Sequence, residues 1–183
     1  MKKLSFFLVT TYPYFILLAL ALLLSSTSRI METVFRNNAF LLIGAVALFS
    51  FAVFSWVVVF AALNFCKQSL QTQAWAKAVM IVKLFQIPAY LLFFVLGILF
   101  LLTFFMIPFT FALVAIDLLC ITMTGLLGTI TCRYAQKDGI ITTRETILFA
   151  VLQFIFCIDV IASVILYIKC KKSDKNQAKF VAF

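Results

Sequence analysis

The chain contains no histidine, and only 11% of its 183 residues are charged. The absence of histidine excludes His-based acid–base catalysis, haem ligation by His and the usual zinc sites. Five cysteines form no Cys-x-x-Cys pair, so neither a disulfide framework nor a metal site is predicted. The sequence also has no Gly-x-Ser-x-Gly motif and no acidic cluster suited to a metal. We therefore expect no enzyme activity and no cofactor.

Hydrophobic residues make up 66% of the chain, whereas ordinary soluble domains have about 45–50%. The chain is therefore predicted to lie mostly in lipid, where about 20 apolar residues in a helix cross the hydrocarbon core. We predict an all-α, multi-pass membrane bundle over residues 1–169 and a short, disordered basic tail at 170–183. The five predicted transmembrane helices span residues 5–25, 39–65, 79–102, 109–132 and 146–168.

The net charge of +9 comes from lysines and arginines that lie almost entirely at the ends of the apolar segments. Such placement is typical of charges that remain at lipid headgroups, so no nucleic-acid partner is expected. Met1-Lys2-Lys3 followed by an apolar run also resembles a secretory signal. Since that run is about 20 residues long and a signal core usually has about 7–15, a retained first helix is favoured.

Local sequence signals indicate where helices begin and end in the chain after residue 66. Pro108 predicts a break between the third and fourth helices, because proline disfavours helix continuation. Residues 67–77 are predicted to form a polar interfacial stretch that holds Trp75 near the headgroups. Asp138-Gly139 predicts a turn, and Thr142 or Thr143 is expected to cap the next helix with Glu145 in its first turn.

Five spans would place the two basic termini on opposite sides of a membrane. With the N-terminus inside, eight basic residues would lie inside and seven outside, so the positive-inside rule gives no decision. An arrangement of four spans with one re-entrant or peripheral segment would remove this conflict. The first helix usually dominates orientation, which favours an inside N-terminus.

Asp117 and Asp159 are the most informative residues, because each is a carboxylate within an apolar segment. A charge at the centre of a membrane helix costs about 2.5–3.5 kcal/mol and indicates a functional site by default. In five antiparallel helices both residues would lie about 12–14 Å from the same face. A shared proton or cation site is one hypothesis; the other is that each protonated carboxyl bonds a neighbouring helix.

Several residues are candidates for supporting this pair. Thr124, Ser163, Tyr90 and Tyr14 are candidate hydrogen-bond partners. Lys83 is not expected to be the counter-ion, because an uninterrupted third helix would hold it some 20 Å from the carboxylates. Only a helix break at Pro88 would change this, and such breaks can also expose backbone groups to a substrate.

Gly125 and Gly128 are predicted to serve helix packing. Thr124-Gly125-Leu126-Leu127-Gly128-Thr129 places small residues at a spacing that permits close helix approach.

The second half of the chain resembles a family of uncharacterised, small, multi-pass membrane proteins from Gram-positive, largely gut-dwelling bacteria. The resemblance covers about residues 80–170 and is carried by the segments 83–90 and 153–163, by Gly97, and by Asp117 with the glycines that follow it. It implies a bacterial plasma-membrane location and no activity, substrate or cofactor. The first 75 residues show no such resemblance.

The leading interpretation is a non-enzymatic structural or accessory membrane subunit, with the lipid bilayer and a homo-oligomer or another membrane subunit as partners. The alternative is a small proton- or cation-coupled transporter that uses Asp117 and Asp159. Asn at either position is expected to leave a structural protein folded and to abolish coupled flux in a transporter.

Overall fold

A computed structural model describes residues 2–25, 29–36, 38–65, 71–103, 107–155 and 158–181. Over these ranges the chain is helical and contains no strand, as the sequence predicts. The helices are α1 (Lys2–Leu24), α2 (Arg29–Thr33), α3 (Ala39–Phe65), α4 (Thr72–Leu101), α5 (Ile107–Lys137), α6 (Thr143–Leu152) and α7 (Ile158–Val181).

Four of these helices, α1, α3, α4 and α5, are long and apolar enough to cross a membrane. The prediction of five such helices is therefore wrong. The fifth apolar run, expected as one helix over 146–168, is divided between α6 and α7. Ten residues of α6 rise only about 15 Å, and α7 becomes strongly polar after Ile168, so neither matches an apolar core of about 30 Å.

The four long helices alternate in direction. Trp56 in the second half of α3 donates to Ser5 near the start of α1, with 3.0 Å between Nε1 and Oγ. The Trp75 ring at the start of α4 lies 5.3 Å from Phe6 and 5.4 Å from Tyr134, which is near the end of α5. One end of the bundle therefore contains the beginnings of α1 and α4 and the ends of α3 and α5.

Helices α6 and α7 form a hairpin that enters the bundle from this same end and returns to it. Glu145 in α6 pairs with Lys169 in α7, although 24 residues of straight helix would separate them by about 36 Å. The Lys169 ammonium and the Thr142 backbone amide hold the pKa of the Glu145 carboxyl below its usual value. On either side of Lys169 in α7, Leu166 and Cys170 pack in one cluster with Ala76 of α4.

This hairpin changes the distribution of charge. Because α7 returns to the end at which α1 begins, the tail and the N-terminus share one end, which we call the basic end. Only Arg29 and Arg36 lie at the opposite end among the described basic residues. Those at the basic end are Lys2, Lys3, Lys77, Arg133, Lys137, Arg144, Lys169, Lys171, Lys172, Lys175 and Lys179.

The local signals around α6 are confirmed. Gly139 has a φ of +69° in the turn after α5, a backbone conformation that favours glycine. Thr142 caps α6 in a capping box, in which its side chain accepts from the Glu145 amide and the Glu145 side chain accepts from the Thr142 amide.

Other boundaries differ from the prediction. Helix α4 begins at Thr72, and Trp75 is 4% exposed in the core instead of at an interface. Helix α7 extends to Val181, and the disorder expected for the tail at 170–183 stays a prediction. Cys66 and Cys157 lie outside the described residues.

Candidate functional site

The most deeply buried charges belong to Lys83 on α4 and Asp159 in the first turn of α7. The two side chains are 0% and 2% exposed, and Lys83 Nζ lies 3.0 Å from Asp159 Oδ2. The ammonium also donates to Gln153 Oε1 at 2.5 Å and to the Asp159 carbonyl at 3.4 Å. Two of these contacts are hydrogen bonds and the third is an ion pair; Asp159 Oδ2 and Gln153 Nε2 have no hydrogen-bond partner among the described residues.

Ser163 closes this cluster one turn further along α7. Its hydroxyl lies 3.0 Å from Gln153 Oε1 and 2.9 Å from the Asp159 carbonyl, and it donates to one of them at a time. Asp159 also lies at the N-terminus of α7, where the helix dipole favours a negative charge. The charges are therefore balanced inside the protein.

The reversal between α6 and α7 makes this cluster possible. Gln153 and Asp159 are six residues apart, so a straight helix would separate them by about 9 Å along its axis and turn them to different faces. After the reversal both reach one ammonium group. Lys83 is the counter-ion of Asp159, contrary to the prediction. The third predicted helix is uninterrupted, as that argument assumed, but the depth of Asp159 was taken from a straight fifth helix, which the reversal replaces.

A ladder of polar side chains continues from Lys83 along α4. Gln86 Nε2 donates to the Val9 carbonyl of α1 at 2.7 Å. The Tyr90 hydroxyl, one turn further, donates to Gln86 Oε1 at 2.9 Å. Tyr14 of α1 donates to the Phe85 carbonyl. The ladder thus fixes α1 against α4 as well as extending the polar region.

Asp117 lies in different surroundings, in a cavity of about 400 Å³ between α4 and α5. The residue is half-buried, and its Oδ1 atom has no hydrogen-bond partner among the described residues. Tyr90, Phe93, Phe94, Gly97, Ile98, Leu101, Thr110, Leu113 and Val114 form the rest of the lining.

The structure places the two carboxylates in different surroundings, and the shared proton or cation site stays a prediction. Asp159 is paired with Lys83, whereas Asp117 faces the cavity. Of the supporting residues, Ser163 joins the Asp159 cluster through the backbone and Gln153. Thr124 bonds carbonyls of its own helix, while Tyr90 lines the cavity of Asp117 and bonds Gln86.

Helix α4 is continuous through Pro88, so the helix break considered at this residue is absent. Lys83 reaches Asp159 without it. In the described part of the chain, no group of three or more His, Cys, Asp or Glu residues is placed to hold a metal ion.

The comparison with protein families matches residues 2–172 to a family of unknown function, DUF6652. The chain belongs to this family. The match includes the first 75 residues, which carried no resemblance at the sequence level, and nearly the whole α6–α7 hairpin. No curated protein and no solved structure matches the chain.

Gly125 and Gly128 permit close packing, although against the turn of the hairpin instead of a long helix. A Cβ atom at Gly125 would lie 2.7 Å from the Phe154 ring, and one at Gly128 would lie 2.5 Å from Gln153 Cδ. Phe154 is 43% exposed, whereas Gln153 is fully buried and held by Lys83 and Ser163. Gly128 therefore provides the less yielding contact.

We expect Gly128→Ala to lower the free energy of unfolding by about 1–3 kcal/mol, because Gln153 has no room to move away. Gly97→Ala is the matched control, since a Cβ there meets nothing within 4 Å; it should be neutral or stabilising by up to about 1 kcal/mol. Denaturation of both purified variants in detergent measures the difference. Equal stabilities would contradict the packing of Gln153 on Gly128.

Lys83→Met is expected to lower the free energy of unfolding by about 3–5 kcal/mol, because it leaves the Asp159 carboxylate buried without a counter-ion. Asp159→Asn should destabilise for the corresponding reason, so it is not the benign change expected from the sequence. The double variant Lys83→Met/Asp159→Leu removes both charges and should recover much of the loss. A double variant no more stable than Lys83→Met alone would show that the pairing is not the cause.

Proposed function

We propose that this protein is a non-enzymatic membrane subunit, structural or accessory, with four membrane-crossing helices and α6–α7 as a re-entrant hairpin. The observation that carries this proposal is the closed Lys83 cluster at the hairpin tip. Its ammonium group is fully buried and contacts three oxygen atoms within the chain. A charge pair compensated in this way fixes a helix arrangement, and its carboxylate is already neutralised by Lys83 instead of being available to a transported cation.

The charge distribution supports an orientation with the basic end in the cytoplasm. Eleven described basic residues lie at that end, against Arg29 and Arg36 at the other. The positive-inside rule then places both the N-terminus and the tail inside. A bacterial plasma membrane is the location we propose, in line with the family resemblance of residues 80–170. A second copy of the chain or another membrane protein is the partner that an accessory role requires.

Labelling of single cysteines with a membrane-impermeant maleimide tests this topology. Cys170 is unsuitable as a probe, because it is buried and burial raises the pKa of its thiol to about 11. We expect Arg36→Cys to react in intact cells, and Lys3→Cys and Lys172→Cys to react only after permeabilisation. A straight fifth span would instead make Lys172→Cys react in intact cells, while Lys3→Cys would still react only after permeabilisation.

A proton- or cation-coupled transporter is the second candidate, and Asp117 is the observation that favours it. Its carboxylate faces a cavity and has an atom without a hydrogen-bond partner among the described residues. The ladder of Tyr90 and Gln86 leads from this cavity towards Lys83. In this function Asp117 would exchange the proton or cation, and the Lys83–Asp159 pair would hold the helices in place.

Flux into liposomes separates the two candidates. A transporter should produce proton or cation flux that Asp117→Asn abolishes while the protein remains folded. Glu32→Gln, which removes an exposed carboxylate from α2, is the control for loss of charge alone. A structural or accessory subunit should give no flux above empty liposomes in any variant. Wild-type flux that is lost in Asp117→Asn would replace the first proposal with the second.

A further inference from the structure

The cavity between α4 and α5 has one polar group that its own protein leaves unsatisfied. Thr110 Oγ1 donates to the Gly97 carbonyl at 3.5 Å, and the Tyr90 hydroxyl donates to Gln86. Asp117 lines the cavity, and its Oδ1 atom, itself buried from solvent, has no hydrogen-bond partner among the described residues. Lys83 forms an ion pair with Asp159 inside the bundle and donates a hydrogen bond to Gln153, so its charge is already compensated. The cavity therefore presents a carboxylate without a cation.

The remaining walls indicate what kind of cation fits. Phe93 and Phe94 provide aromatic surface, and Gly97 leaves open space where a side chain would otherwise project. A volume of about 400 Å³ falls within the range of small-molecule sites. One carboxylate among apolar walls supplies too few oxygens for a bare metal cation such as Ca²⁺, which takes about 6–8. An organic cation needs one anionic partner and an apolar enclosure.

We propose that this cavity binds a small hydrophobic amine. Its protonated nitrogen pairs with Asp117, and its apolar body lies against Phe93 and Phe94, where aromatic faces also attract a cation. The pairing compensates a carboxylate that would otherwise be costly among apolar helices. This site goes beyond the proposed function, since it requires only that α4 and α5 pack as described. It is equally compatible with an accessory subunit that senses such an amine.

The test uses the full chain purified in detergent, with 1-naphthylmethylamine as the probe and equilibrium dialysis as the measurement. The neutral 1-naphthylmethanol has the same ring system without the charge. We expect the amine to bind and the alcohol to bind on the order of ten-fold more weakly or not at all, because a charge-assisted contact is lost. Equal binding of the two compounds, or no binding of the amine, would overturn the proposal.

Two variants locate the site. Asp117→Asn should weaken amine binding by on the order of ten-fold or more, and Gly97→Leu should abolish it by filling the cavity while the carboxylate stays in place. Glu32→Gln and Gly44→Leu are the controls; a Cβ at Gly44 meets nothing within 4 Å, and this residue does not line the cavity. Thermal unfolding checks that each variant is folded. Unchanged amine binding in a folded Asp117→Asn or Gly97→Leu variant would place the amine elsewhere and refute the site.

Flux and binding give independent results. Amine binding that depends on Asp117, without any proton or cation flux, would leave the accessory role standing and establish the site. Flux that depends on Asp117 without amine binding would support the transporter and refute the amine site. The failure of one proposal is thereby distinguishable from the failure of the other.

Discussion

The arrangement of this chain depends on one buried positive charge. Lys83 lies on α4, the helix that packs against α1, α5 and α7, and its ammonium group is out of contact with solvent. An uncompensated ammonium there would be far more costly than any single apolar contact could offset. The chain therefore has to bring an anion and an amide oxygen to that point, and the α6–α7 hairpin delivers both.

The rest of the bundle is built around this requirement. Gln153 can reach Lys83 because Gly128 has no side chain at the point where the hairpin turn meets α5. The capping box at Thr142 begins α6 in the direction of the cluster, and the pair of Glu145 with Lys169 holds the open end of the hairpin together. An ion pair that is two-fifths exposed at that end contributes little by itself, so the buried pair and the packing at the tip carry most of the specificity.

Composition and local signals were sufficient to predict much of the fold. The helical class, four long apolar helices, the turn at Gly139 and the cap at Thr142 all follow from hydropathy, proline, glycine and capping residues.

The reversal within the fifth apolar run does not follow from such local signals. Residues 153–157 contain neither proline nor glycine, so the usual turn signals are missing, whereas Gln153 and Asp159 on either side of this segment both contact Lys83. The pairing of Lys83 with Asp159 was missed for the same reason, since it exists only after the reversal. Asp117 was recognised from its apolar surroundings, but its cavity arises from side chains on two helices.

The reversal also constrains the order in which the chain can assemble. Residues 143–168 are synthesised after the four long helices. Their buried polar residues, Gln153 and Asp159, can contact Lys83 of α4 and Gly128 of α5 only when those two helices are in place. A ribosome-bound intermediate that ends before Gln153 would hold Lys83 without its acceptors. Until synthesis passes Asp159, the ammonium of Lys83 has to be hydrated or neutral, because an uncompensated charge among apolar helices is costly.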